Sequence, residues 1–201
     1  MPGRRPPIGV ILAGGGGRRI GGSKAIVKLQ GRHLITYPLA VLQAVFDDVA
    51  IVAKADTELP SMPGVTVWVE PSAPQHPIVG ITHALALAGR RAVFIAAADM
   101  PFLTPAAVLR LATADPGATP AVIATHGGRI HPLLGCYQPQ AAAPLAASIA
   151  GDGANVALTE AVVALDPRFL EIEDAEVLFN VNAPEDLLHA AGVLDQRINR
   201  R

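Results

Sequence analysis

Ile8-Gly9-Val10-Ile11-Leu12-Ala13-Gly14-Gly15-Gly16-Gly17-Arg18-Arg19-Ile20-Gly21-Gly22-Ser23-Lys24 is the stretch on which the reading of this chain turns. Ile8–Ala13 is a short apolar run without alternation, as expected of a strand buried on both faces. Glycines follow at once. They let the backbone turn tightly and bring its N–H groups close to phosphate oxygens, and Arg18, Arg19 and Lys24 add positive charge. A turn with no ligand would carry the entropic cost of so many glycines without any return in packing. Two familiar phosphate loops fail on inspection. A Walker A loop needs Gly-Lys-Ser/Thr, where this chain has Ser23-Lys24-Ala25. A Gly-x-Gly-x-x-Gly fingerprint started at Gly14 or Gly15 ends on Arg19 or Ile20.

Working outward, apolar runs alternate with helix-like segments. Strands are expected at Ile8–Ala13, Val49–Ala53, Val65–Glu70 and Ala92–Ala97, with a short one near Phe169–Ile172. Helices are expected at Leu34–Val45, Val79–Ala88, Pro105–Ala114, Gln140–Ile149, Asn155–Ala164 and Pro184–Ala191. Ala121–Thr125 and Leu133–Tyr137 flank Gly127-Gly128, the signature of a hairpin turn. The expected fold is a single α/β domain with a mostly parallel sheet, helices on both faces and a late antiparallel hairpin. The domain is expected over residues 8–194, after a disordered leader at 1–7 and before a solvated basic tail at 195–201. Pro71–Pro77 reads as a proline-rich loop inside the domain. In open α/β sheets ligands sit beyond the carboxyl ends of the strands. That selects the positions after Ala13, after Glu70 and after Ala98.

The chain's 201 residues suit one domain, and its 51% apolar content argues against disorder. Aromatic residues make up 4%, so the core must rest on Ala, Val, Leu and Ile. A net charge of −1 excludes a general polyanion binder, and no nucleic-acid partner is expected. Arg4 and Arg5 before Ile8–Ala13 superficially suggest a secretion signal, but the apolar run is too short. No segment is long enough to cross a membrane, so a cytoplasmic protein is expected. The single cysteine, Cys136, lies in the apolar run Leu133–Tyr137 and reads as a buried structural thiol.

A second candidate is Ala96-Ala97-Ala98-Asp99-Met100-Pro101. An Asp at the carboxyl end of an apolar strand is placed to hold a cation, and Mg²⁺ favours one or two carboxylates plus phosphate oxygens. The competing reading makes Asp99 a helix cap. Thr104, followed by Pro105 at the first helical position, already fills that role.

Read together, these pieces resemble the molybdenum cofactor guanylyltransferase family, within the nucleotidyltransferases that have a Rossmann-like sheet. Leu12-Ala13-Gly14-Gly15 and Arg19-Ile20-Gly21-Gly22-Ser23-Lys24-Ala25 are similar to its opening signature. Pro77-Ile78-Val79-Gly80, Asp99-Met100-Pro101-Phe102-Leu103 and Gly127-Gly128-Arg129-Ile130-His131-Pro132 resemble its later motifs. So does Phe179-Asn180-Val181-Asn182-Ala183-Pro184-Glu185. The matches are ordered and cover nearly the whole chain.

The resemblance implies transfer of GMP from GTP to the terminal phosphate of molybdenum-loaded molybdopterin, with release of pyrophosphate. It implies backbone contacts to the nucleotide from Leu12, Ala13, Gly14 and Gly15, with Lys54 and Glu70 also binding the nucleotide. Lys24 and Arg19 would neutralise the triphosphate, Asp99 would bind Mg²⁺ and the nucleotide, and all three would take part in catalysis. Arg129, His131, Asn180 and Asn182 would lie on the acceptor side. Transient contact with molybdenum-insertion proteins or apo-molybdoenzymes is also implied.

The chain departs from the family at several positions. Ser23 replaces the Asp before the signature lysine, and Lys54 replaces an Asn after the second strand. With Glu70 aligned to the family's preceding Glu, Pro71 occupies the acidic position after the third strand, leaving Glu70 to substitute. Gly151-Asp152-Gly153-Ala154-Asn155 replaces a segment that carries an Arg-Lys pair. His131 can be read as a base, as a polar substrate contact or as a surface residue. Three other functions compete: a molybdopterin cytidylyltransferase, another small-molecule nucleotidyltransferase, and a non-catalytic nucleotide-binding partner of cofactor assembly.

Overall fold

The computed structural model describes residues 5–14, 25–150 and 156–199. Four parallel pairings and two antiparallel ones build a seven-stranded sheet. Its strands are β1 (Ile8–Leu12), β4 (Val49–Ala53), β5 (Thr66–Val69), β6 (Val93–Ala97), β7 (Ala121–His126), β8 (Arg129–Tyr137) and β9 (Arg168–Glu171). Their spatial order is β5-β4-β1-β6-β8-β7-β9. Only β8 runs against the rest: it pairs antiparallel with both β6 and β7, while β9 is parallel to β7.

The hairpin was expected, but its second strand lies inside the sheet and starts at Arg129, four residues before the expected Leu133. Gly127 and Gly128 take φ of 54° and 81°, the positive values a two-residue hairpin turn requires. The β7–β8 register shifts between Ile123, opposite Gly135, and Ala124, opposite His131. Pro132 falls in that interruption, where a residue without an N–H costs the ladder nothing.

Period-two alternation sorts the strands onto two faces. Ile11, Ile51, Phe94 and Val122 pack under α1 (Thr36–Val45) and α3 (Pro105–Ala112). Val10, Leu12, Val93 and Ile95 face α2 (Pro77–Ala88), α4 (Ala142–Ser148) and α5 (Leu158–Val163). Cys136 is buried and free, as expected. Thr104 caps α3, its hydroxyl accepting from Ala107 N at 3.3 Å, with Pro105 next.

A third, smaller core was not foreseen. The two-residue strands β2 (Lys28–Leu29) and β3 (Arg32–His33) turn at Gln30 and Gly31, with φ of 48° and 78°. Leu29 and Leu34 pack there with Phe102, Val181 and Ala190 of α6 (Pro184–Asn199). That last helix corrects the expectation of a solvated tail. Asp186 accepts from the N–H groups of Asn182 (2.7 Å) and Ala183 (2.9 Å), satisfying donors at its start. Further along, Gln30 donates to Asp195 at 2.6 Å, and Arg197 pairs with Glu176 and lies over the Phe102 ring. The supposed leader is also partly tied down: Arg91 donates to the carbonyl oxygens of Pro6 (3.0 Å) and Pro7 (3.5 Å). Among the described residues, no helix is long and apolar enough to cross a membrane.

Candidate active site

The sheet reverses its winding at β1, which has β4 on one side and β6 on the other. A crevice opens at such a point beyond the strand ends. Leu12 and Ala97 are register partners, so the chain leaves β1 and β6 side by side. Ala98 N donates to Leu12 O at 3.2 Å and Ala13 N to Val52 O at 2.8 Å. These bonds hold both exits and place Gly14 and Asp99 at the rim of one cleft of about 880 Å³.

The cleft gathers residues far apart in the chain. Leu12, Ala13, Gly14 and Asp99 line it from the ends of β1 and β6, Arg129 and His131 from the β7–β8 hairpin, and Asn180 and Asn182 from the segment beside the Asp99 loop. Leu12 and Ala13 are buried, so what they present is mainly backbone. Val181 N donates to Asp99 O at 2.9 Å, tying the Asn180–Asn182 segment to the loop that carries Asp99. Val181 is buried, leaving its two asparagine neighbours on the cleft side, as the spacing of two predicts. Asn180 Nδ2 donates to Leu178 O at 2.8 Å, and Asn182 Nδ2 to Asn180 O at 3.3 Å. Because Asp186 caps the Asn182 backbone, that asparagine is not needed as the starter of α6. Arg19, Lys24 and Gly15 lie outside the described residues.

Asp99 is the one carboxylate lining the cleft among the described residues. No group of three His, Cys, Asp or Glu side chains among those residues could hold a metal by itself. A single carboxylate suits an ion that arrives with phosphate oxygens and keeps its waters, which is the habit of Mg²⁺. Among the described residues, the donor set therefore fits Mg²⁺ carried on a nucleotide.

The hairpin is basic. Burial, and then the charges of Arg129 and His126, lower the pKa of His131, with Glu171 pulling the other way. His131 is therefore a neutral imidazole at pH 7, offering one donor and one acceptor. His126 also lines the cleft, although sequence reasoning missed it because the strand was expected to end at Thr125. Its Nδ1 donates to Ile172 O at 2.8 Å. Its position opposite Arg129 across the Gly127-Gly128 turn was the available signal. Glu171 clamps this turn from β9, accepting from Gly127 N at 2.7 Å and Thr125 Oγ1 at 3.0 Å. Those bonds hold its carboxyl below the usual range.

Lys54 and Glu70 do not line the cleft. They form an ion pair of 3.9 Å behind Gly14. Glu70 is only 7% exposed, and burial raises its pKa against the opposing pull of Lys54.

An α/β sheet whose strand ends open on a backbone rim and, among the described residues, one carboxylate suits a nucleotidyltransferase. The MobA-like NTP transferase domain matches residues 9–166, and the chain belongs to that family. A molybdenum cofactor guanylyltransferase from Cereibacter sphaeroides is 37% identical over 195 residues, covering 93% of this chain and 96% of that protein. The structure of molybdopterin-guanine dinucleotide biosynthesis protein A from Archaeoglobus fulgidus aligns with TM-score 0.76 at 25% identity. That alignment covers 94% of this chain and 98% of the other. A nucleotidyl transferase from Methanothermobacter thermautotroptrophicus shares the fold, with TM-score 0.75 at 20% identity over 96% of this chain and 99% of its own.

Proposed function

We propose that this nucleotidyltransferase transfers GMP from GTP to the terminal phosphate of molybdenum-loaded molybdopterin. The observation that carries the reading is the shared cleft: the Leu12–Gly14 backbone and Asp99 line it together with Arg129, His131, Asn180 and Asn182. The guanylyltransferase at 37% identity supports the choice of nucleotide and acceptor.

The chemistry joins two anions. An oxygen of the acceptor's phosphate monoester attacks the α-phosphorus of GTP. The new P–O bond forms as the bond to the β-phosphate oxygen breaks, and pyrophosphate leaves with that electron pair. The nucleophile is ionised at pH 7, so the step needs no strong base. A neutral His131 therefore serves as a hydrogen-bonding contact to the acceptor. Arg129 offers the planar fork that suits a phosphate, and the two asparagine amides offer both donors and acceptors to a pterin edge. At the end of β1, the Leu12–Gly14 backbone receives the nucleotide, and Lys24 and Arg19 neutralise its phosphates. Asp99 would hold Mg²⁺, which supplies charge neutralisation at the phosphates.

The test is to incubate the protein with each nucleoside triphosphate, Mg²⁺ and molybdenum-loaded molybdopterin, then weigh the product and measure pyrophosphate. A guanine dinucleotide formed with the highest kcat/KM for GTP is expected. A higher kcat/KM for CTP would move the protein to cytidylyl transfer. Binding of GTP without any pyrophosphate would make it a sensor or partner subunit. Omitting Mg²⁺ should stop the reaction.

A further inference from the structure

Glu70 is wedged between two glycines from different elements. A Cβ built on Gly14, at the exit of β1, would stand 3.0 Å from Glu70 Oε1. One built on Gly80, in α2, would stand 2.8 Å from Glu70 Oε2. The Gly80 distance is shorter than a Cβ contact tolerates and the Gly14 distance is tight, so a side chain at either glycine would press on the carboxylate between them. A buried carboxylate in such a slot needs a counter-charge. Lys54, one residue beyond β4, supplies it at 3.9 Å. The same ammonium donates to Ser72 O at 2.9 Å and Pro71 O at 3.3 Å. It therefore ties together the exit of β4, the turn after β5 and the side chain that abuts Gly14.

We propose that Lys54 is a positioning residue: it pins the Pro71–Ser72 turn and holds the Glu70 carboxylate against Gly14, fixing the angle at which the first loop leaves β1. The inference rests on the reading of that loop as the nucleotide's seat. Gly14, Gly80 and Lys54 face Glu70 from β1, α2 and β4, and of these only Lys54 can titrate. Loss of its charge leaves Glu70 buried without an opposing field, so the carboxyl takes up a proton more readily. A neutral carboxyl no longer pairs with position 54, and the wedge loosens.

The experiment compares wild type, K54M, K54R and E70Q, and follows three quantities between pH 5 and 8. They are the Kd for GTP, the Glu70 carboxyl titration by ¹³C NMR, and amide exchange at Ala13 and Gly14. In K54M the Glu70 midpoint should rise, exchange at Gly14 should quicken, and GTP binding should weaken about tenfold at pH 7. The loss relative to wild type should shrink as pH falls and the wild-type carboxyl itself takes up a proton, while kcat at saturating GTP changes about twofold or less. K54R should restore all three. E70Q should weaken GTP binding to a similar degree but without pH dependence. The K54M/E70Q double variant should lose no more than either single one, because the pair acts as a unit.

An unchanged Glu70 midpoint and unchanged Gly14 exchange in folded K54M overturn the proposal, even if GTP binds normally. Additive losses in the double variant also overturn it. Should K54M fail to fold, E70Q and K54R carry the test. Pronounced pH dependence of GTP binding persisting in E70Q, or a failure of K54R to keep wild-type exchange at Gly14, then overturns it. If wild type binds no GTP while K54M still shifts the Glu70 midpoint and the Gly14 exchange, the positioning role stands and the nucleotide reading falls.

Discussion

The two banks of the cleft are built on different principles. The β1–β6 bank is the end of a parallel sheet buried on both faces, and every residue of β1 and β6 is buried. Such strands cannot carry polar side chains along their length. Chemistry appears only where they stop, as backbone at Leu12–Gly14 and one acid at Asp99. The hairpin bank is looser. In β8, Ile130–Leu133 are half-buried, and only Leu134–Tyr137 close into the core. The interrupted register at Pro132 swings the first half of the strand over the cleft, which lets Arg129 and His131 project into it. One bank therefore reads its ligand by backbone and charge, and the other by side chains. Substitutions should separate them.

The largest effect is expected at Asp99. Asp99→Asn keeps the backbone oxygen that accepts from Val181 N, so the fold and the Asn180–Asn182 segment should survive. The side chain loses the charge that would hold Mg²⁺, and turnover should fall by about two orders of magnitude or more. Pyrophosphate release at limiting Mg²⁺ measures it. Near-normal release would remove Asp99 from the reaction and erase the contrast between the banks.

The Asn180→Ala/Asn182→Ala double variant probes the acceptor contacts. Each amide lost from a substrate contact costs about 0.5–1.5 kcal/mol, so kcat/KM for the acceptor should drop about tenfold or somewhat more. GTP affinity should stay within about twofold. The backbone cap on α6 comes from Asp186, so thermal stability should change little. A collapse of GTP affinity with intact acceptor binding would make the asparagines contacts of the nucleotide instead.

How much of this was legible depends on range. β1, β4 and β6 are uninterrupted apolar runs, and the sequence alone places them to within a residue. The Gly127-Gly128 turn was equally plain, because its chemistry is local. The insertion of β8 between β6 and β7 was not, since pairing order is set by tertiary contacts. The β2–β3 hairpin was missed because Gln30-Gly31 is a weaker turn signal than Asn-Gly, and its flanking strands are two residues each. The run of α6 past Ala191 was hidden by polar composition. Its stability comes from partners distant in sequence, Gln30, Glu176 and Phe102. At the site, Asp99, Arg129, His131, Asn180 and Asn182 converge as the motifs suggested. The burial of Glu70 behind Gly14 could not be read from either residue alone.

That burial gives a third test, on stability. Gly80→Ala puts a Cβ 2.8 Å from Glu70 Oε2 and 3.3 Å from Leu12 Cδ2. Glu70 is buried and paired with Lys54, which leaves it little room to retreat. Overpacking of about 1–3 kcal/mol then opposes a helix-propensity gain of about 1 kcal/mol. A net loss of about 1 kcal/mol should lower Tm by a few degrees. Truncating Glu70 in the same molecule should reverse the sign, as the alanine gains room. A stabilised single variant would show that the wedge is looser than the geometry implies.

The smallest effect concerns protons on the hairpin bank. Burial and the charges of Arg129 and His126 depress the His131 pKa in the folded protein below its unfolded value of about 6.5. The unfolded chain then binds more protons, so stability rises with pH across this range. The contribution is fully present above the unfolded value and is lost as pH falls through the folded one. His131→Gln should therefore flatten the loss of stability between pH 7.5 and 5, a shift visible in Tm against pH. An anionic phosphate beside Arg129 and His126 should offset their repulsion and raise the His131 midpoint in an NMR titration. GTP seated on the other bank should move it much less. A midpoint that moves equally with GTP and with a phosphate-monoester acceptor fragment would mean that one ligand spans both banks. A midpoint indifferent to both would place His131 outside the recognition surface.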